Sequence, residues 1–274
     1  MIYIVNEAAI ITIMAQDHEN RMRNYLNYLL LLLIALIWGS QFVLIKTALT
    51  SFPPLTVAAL RALTGAVALS FLLLCAPKKR KQAKNPRRFK SLAYIFCIGF
   101  FEASLPFMLI SWGQQHTDTS IAAILISTIP IFTIVFIAFF VKHETLTVGK
   151  YLSVIIGFAG VLLLLAPSAI HSLLSGAHNL LAQLAILGGA CSFAISLIMI
   201  RRVLGFGMVA LVRNVLLSAS IQLIPFALVL NHPWQLQPSL AAILAIITLG
   251  VIASGIVYIL YVVLLQRAGA AFTS

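Results

Sequence analysis

Long apolar runs separated by short polar breaks dominate the chain. Windows of about 19 residues predict eight helices, near 26–49, 54–76, 91–114, 119–141, 149–169, 179–200, 209–230 and 240–265. Runs of this kind reach the ~18 apolar residues that mark a membrane-spanning helix. Apolar–polar alternation at period two, the signature of a membrane β-barrel, is absent. The pattern predicts an all-α polytopic membrane protein.

Composition agrees. The 274 residues are 62% hydrophobic and 9% charged, with a mean hydropathy of +1.08, whereas soluble domains carry about 25% charged residues. Cys75, Cys97 and Cys191 all fall in apolar runs. Three thiols without paired spacing do not form a disulfide framework.

The polar breaks are of two kinds. Thr50–Pro54, Gln115–Thr119, Pro167–His178 and Asn231–Ser239 contain no Lys or Arg. The alternate set holds fifteen of the eighteen basic residues, eight of them in KKRKQAKNPRRFK at 78–90. The positive-inside rule places the N-terminus and these basic loops in the cytoplasm, with the protein in the cytoplasmic (inner) membrane. The net charge of +12 then reflects topology and contact with anionic membrane lipids. A nucleic-acid partner is not expected, since the basic run is tethered between two spans. Residues 1–22 form an N-terminal extension that is apolar, too short to span and interrupted by Glu7. It reads equally as an interfacial segment or as a misassigned start ahead of Met22.

The chain also repeats itself. VAALRALTGAVAL (57–69) resembles VALVRNVLLSASI (209–221), setting Arg61 against Arg213. GFFEASLPFMLISWGQQH (99–116) resembles GVIASGIVYILYVVLLQR (250–267), setting Gly99 against Gly250. The two offsets nearly agree. They divide the chain into a first repeat of five helices at 26–169 and a second, of three helices, at 179–274. Five is odd, so the second copy enters from the opposite face, an inverted-topology repeat of the kind secondary transporters use. Two complete copies would hold ten helices, and eight of these are predicted here.

WGSQFVLIKTALTSFPPLTVAALRALTGAVAL resembles the opening of the EamA-type transporters of the drug/metabolite transporter superfamily. TSIAAILISTIPIFTIVFIAFFVKHETLTVGKYLSVIIGFAGVLLLL is similar in its mid-helix proline, the glutamate after the fourth helix and the closing GVLLLL. The resemblance covers about residues 28–274. It implies a ten-helix fold, a central substrate cavity between the repeats, and import or export of small metabolites. Ser153 stands where the family often has glycine, and a ninth and tenth helix are not in the sequence.

Few residues inside the spans carry chemistry. Glu102 is the only acid in a span. An intramembrane carboxyl is a functional candidate by default; here it would bind a coupled proton or a cationic group of the substrate. The other reading makes it a structural partner of Arg61. Pro106 lies four residues on, and proline removes the helical partner of that carbonyl, so a broken helix is expected at Glu102. Pro130 is expected to kink the fourth span and free the carbonyl of Ile126. Arg61 has three readings: an anchor snorkelling toward the outer face, a partner for Glu102, or a contact for an anionic substrate. Lys46 reads as snorkelling. Trp38 and Gln41, three apart on one helical face, would line a partly polar cavity with Tyr258 and with Trp112, the last being equally suited to an interfacial aromatic belt. Gly157, Gly160 and Ser153 form a small-residue packing face. Glu144 and Thr147 read as a turn and a helix cap.

No metalloprotease, nucleophile-elbow or nucleotide-binding motif stands in the chain, and no aspartate lies in a span. His116 and Asp118 lack a third ligand for a metal. The expected function is secondary active transport of a small metabolite, an amino acid or related compound, by alternating access. Proton coupling would run through Glu102. No cofactor and no enzymatic activity are expected, and a homodimer is a possible assembly. The competing reading is a non-transporting membrane scaffold or an inactive remnant of such a transporter.

Overall fold

A computed structural model describes residues 2–75, 88–140, 148–175, 178–201, 203 and 207–268. Among them there is no β-strand. The helices are α1 (Ile2–Ala48), α2 (Pro54–Cys75), α3 (Arg88–Gly99), α4 (Leu105–His116), α5 (Thr119–Ile126), α6 (Ile129–Phe140), α7 (Val148–Ser175), α8 (His178–Arg201), α9 (Met208–Asn231), α10 (Leu240–Thr248) and α11 (Val257–Ala268). A π-helical turn, Phe100–Ser104, joins α3 to α4, and a second, Leu249–Ile256, joins α10 to α11. Among the described residues seven stretches are long and apolar enough to cross a bilayer: Asn24–Ala48, Pro54–Cys75, Leu92–His116, Thr119–Ala138, Asn179–Ile200, Val209–Asn231 and Leu240–Leu265. The remaining expected span, the fifth in chain order, falls in α7, whose apolar part is Leu152–Leu164. The protein is a multi-pass, all-α membrane protein.

Local chemistry explains most boundaries. Pro54 opens α2, where a missing N–H costs nothing. The Ser239 hydroxyl caps α10 by accepting from the Ala242 N–H at 3.2 Å. Pro130 lacks the N–H that would bond Ile126, and the fourth span breaks at Ser127–Thr128 into α5 and α6. The Thr128 carbonyl then restarts the ladder, accepting from Ile131 at 2.9 Å. The N-terminal extension and the first span form one continuous helix, with no proline or glycine in 2–38. One expectation is corrected: Pro167 lies inside α7 rather than in a loop. The basic loop at 78–87 and the Glu144–Thr147 turn lie outside the described residues.

Glycines bring backbones close where α3 meets α9 and where α2 meets the second π turn. A Cβ on Gly99 would meet the Ser218 hydroxyl and lie 2.9 Å from the Val215 carbonyl oxygen. A Cβ on Gly250 would meet the Thr64 hydroxyl and lie 2.9 Å from the Arg61 carbonyl oxygen. One contact is thus made twice, glycine against hydroxyl and carbonyl. The hydroxyls can rotate away, but the carbonyls belong to helix backbones. Gly99→Ala and Gly250→Ala are each expected to destabilise the fold by about 1–3 kcal/mol, the usual cost of overpacking. A lower melting temperature in detergent checks this. Gly157 packs against Ile131 of α6, while Gly160 has open space around it, so only part of the expected small-residue face is used.

Buried apolar side chains form two clusters. One is built around Ala62, Leu69, Ile98, Leu216 and Leu264. The other is built around Ile45, Val57, Leu125, Ile186 and Leu249. Trp38 packs against both, and the polar residues of the membrane interior gather beside it.

Candidate functional site

The site grows out of the two π turns. Pro106 deprives the Glu102 carbonyl of its α-helical donor. The chain widens there, and the Leu105 N–H reaches back five residues to the Phe100 carbonyl. The freed Glu102 carbonyl accepts from the Tyr258 hydroxyl at 3.1 Å. The neighbouring Phe101 carbonyl accepts from the Ser192 hydroxyl at 2.7 Å. In the second π turn, the Ala253 carbonyl accepts from Trp38 Nε1 at 3.0 Å. Each of these wide turns therefore has a carbonyl held by a side chain of another span, which satisfies backbone groups that hydrocarbon cannot.

The first π turn, through Glu102, faces a cavity of about 320 Å³, within the usual range for small-molecule sites. Its walls bring together Trp38 and Gln41 of α1, Arg61 of α2, Glu102 of the first π turn, Pro130 of α6 and Tyr258 of α11. All five residues expected to bind or couple thus share one cavity, although they lie up to 220 positions apart in sequence. Pro106 is buried behind the wall. Trp112 is not on it: the indole packs edge-to-face on His116, with centroids 5.6 Å apart, near the end of α4.

Arg61 does not snorkel. Only 4% of it is exposed. Its Nε donates to Ser254 Oγ at 2.6 Å and its Nη2 to Gln41 Oε1 at 2.6 Å. The guanidinium carbon lies 3.9 Å from the centroid of the Phe107 ring, a cation–π contact. Glu102 is equally buried, at 3%, and Ser196 Oγ donates to its Oε2. Among the described residues the two charges form no ion pair; each is held by neutral groups. Lys46 is exposed near the end of α1. Its Nζ donates to the Gln114 carbonyl at 2.7 Å and the Thr117 carbonyl at 3.4 Å, complementing the C-terminal end of α4.

Ser196, Ser192, Ser254 and Phe107 were missed from sequence. One signal was available: Ser192 and Ser196 stand four apart in an apolar helix, so both hydroxyls share a face. Ser254 and Phe107 carried none.

Over 243 residues the chain is 28% identical to an uncharacterized inner membrane transporter, YedA, of Escherichia coli (strain K12), covering 87% of this chain and 74% of that protein. Over 141 residues it is 26% identical to an uncharacterized transporter of Archaeoglobus fulgidus, covering 52% of this chain and 48% of the relative. An uncharacterized transporter of Bacillus subtilis, YoaV, is 27% identical over 139 residues, 50% of this chain and 45% of the relative. Against those last two relatives the matched part spans about half of their length. A solved crystal structure shares the fold with a TM-score of 0.62 at 16% identity, covering 90% of this chain and 81% of that one. Residues 26–166, half of the chain, match the EamA-like transporter family, and the protein belongs to that family.

Proposed function

We propose that this protein moves a small metabolite across the inner membrane by alternating access, and that the cavity between α1, α2, α6, α8 and α11 is the substrate site. The observation that carries the reading is the pair Arg61 and Glu102. Two opposite charges, both nearly inaccessible, share one cavity without an ion pair between them. Intramembrane charges left in that arrangement are costly, and a small zwitterion would compensate both. An amino acid or related compound fits this chemistry, with its carboxylate toward Arg61 and its ammonium toward Glu102. Aromatic groups of Trp38, Phe193, Tyr258 and Tyr261 complete the walls. With no nucleotide-binding motif in the chain, gradients or exchange would drive the cycle.

The doubled glycine contacts support an inverted repeat. They match Gly99 with Gly250, as the sequence offset does. They also match Thr64 with Ser218 and Arg61 with Val215, two positions from the register read in sequence. The π turns beside both glycines support the same pairing.

Binding is tested by a thermal-shift screen of amino acids and their carboxylate-only and amine-only analogues on purified protein. A zwitterion is expected to raise the melting temperature by mass action more than either analogue. Equal or larger shifts with an analogue would remove the zwitterion from the reading. Orientation is tested separately: accessibility labels at Ala83, Gly205 and the N-terminus are expected to report cytoplasm, and labels at Asp118 and His232 the outer side. Ala83 and His232 reporting one side would overturn the topology.

A further inference from the structure

Glu102 borders two spaces. Besides the central cavity, it and Tyr258 line a second void of about 10 Å³, walled by Ile200 of α8, Leu211, Val212, Val215 and Leu216 of α9, and Val262 of α11. That is room for about one water. The carboxyl therefore borders both the cavity and a small, apolar-lined void. It is faced by Arg61 from α2, by Tyr258 and Tyr261 from α11 and by Ser196 from α8, whereas α9 presents only aliphatic side chains.

A buried carboxyl that exchanges a proton must be satisfied in both states, because an unpartnered polar group in this setting is costly. As a carboxylate it needs a donor, and as an acid it also needs an acceptor for its own O–H. Ser196 stands between two acceptors. Its Oγ is within hydrogen-bond reach of Glu102 Oε2 and lies 2.7 Å from the Phe193 carbonyl oxygen. One hydroxyl proton cannot serve both at once. When Glu102 is ionised, Ser196 donates to the carboxylate. When Glu102 is protonated, the acid O–H donates to Ser196 Oγ, and Ser196 turns its own proton to the Phe193 carbonyl. No atom needs to move beyond the rotation of one hydroxyl.

We propose that Ser196 is a positioning residue that keeps the Glu102 carboxyl satisfied in both protonation states, so that it loads and releases a proton in place on the wall between the two spaces. This rests on the reading of Glu102 as the coupling group.

Infrared difference spectra of the full chain in lipid test it without a substrate. The protonated carboxyl gives a carbonyl band that shifts in deuterium oxide, assigned to Glu102 by its loss in Glu102→Gln. The wild-type band is expected to appear and vanish reversibly with pH. In Ser196→Thr, which keeps the hydroxyl, frequency and midpoint are expected to stay. In Ser196→Ala the band is expected to move to higher frequency, as for a carboxyl without its partner, with a displaced midpoint. Circular dichroism and gel filtration establish that each variant is folded. An Ala variant that titrates at the wild-type frequency and midpoint overturns the proposal, as does a Thr variant that behaves like Ala. If Ser196→Ala does not fold, Ser196→Cys, whose thiol is a poor donor, replaces it under the same expectations. A Glu102 band that responds to Ser196 while Glu102→Gln leaves the pH dependence of uptake unchanged removes the coupling role and keeps the pairing.

Discussion

Glu102→Gln is expected to leave the protein folded in the membrane and to abolish transport or strip it of its pH dependence. The amide is nearly isosteric with the carboxyl, and its oxygen still accepts from Ser196. Its backbone carbonyl still accepts from Tyr258, so the π turn at Phe100–Ser104 keeps its cross-span partners. What disappears is the capacity to carry a proton and the negative charge opposite Arg61. In the internal alignment proposed above, the position matched with Glu102 is Ala253, which carries no carboxylate. The fold itself thus has no requirement for a carboxylate at that depth. Uptake into proteoliposomes at several pH values, beside a melting curve, separates the cases. Unchanged uptake and pH dependence would mean that Glu102 serves packing alone.

Arg61→Ala is expected to act chiefly on assembly. The guanidinium ties four spans: its own α2, α1 through Gln41, the second π turn through Ser254, and α4 through the Phe107 ring. A hydrogen bond from a charged donor contributes about 1.5–3 kcal/mol, and a desolvated cation–π contact up to about 2 kcal/mol. Truncation removes all three, leaves Gln41 Oε1 and Ser254 Oγ without that donor, and leaves the Glu102 charge alone in the cavity. Against this stands the relief of a buried cation, which is smaller here because the guanidinium borders a space able to hold water. The losses outweigh it, and the melting temperature and yield of monodisperse protein are expected to fall sharply. Arg61→Lys is not expected to restore them. An ammonium is a single point of charge and cannot reproduce the two-directional donation and ring contact of a planar guanidinium. A folded Arg61→Ala of wild-type stability that no longer binds anionic ligands would make Arg61 a binding residue and not an anchor.

Much of this architecture follows from local chemistry. Apolar runs determine where the spans lie, because a bilayer admits only segments whose backbone bonds close internally. The prolines determine where two of them break: Pro130 splits α5 from α6, and Pro106 opens the turn at Glu102, since a missing N–H acts within four residues of itself. A charged residue deep in an apolar run is visible for the same reason, and Glu102 and Arg61 stood out at once. The partners of those residues are another matter. Ser196 lies 94 positions from Glu102, and Ser254 lies 193 from Arg61. Serine also closes bonds within its own helix, as Ser220 does to Leu216, so its presence announces no distant partner. Sequence left Arg61 a choice between snorkelling, pairing with Glu102 and binding an anion. Its burial beside Gln41, Ser254 and Phe107 came from how α1, α2, α4 and the second π turn pack. The close approaches of α3 to α9 and of the second π turn to α2 were likewise decided by backbones meeting at Gly99 and Gly250, where absence of a Cβ permits a contact that no apolar periodicity records.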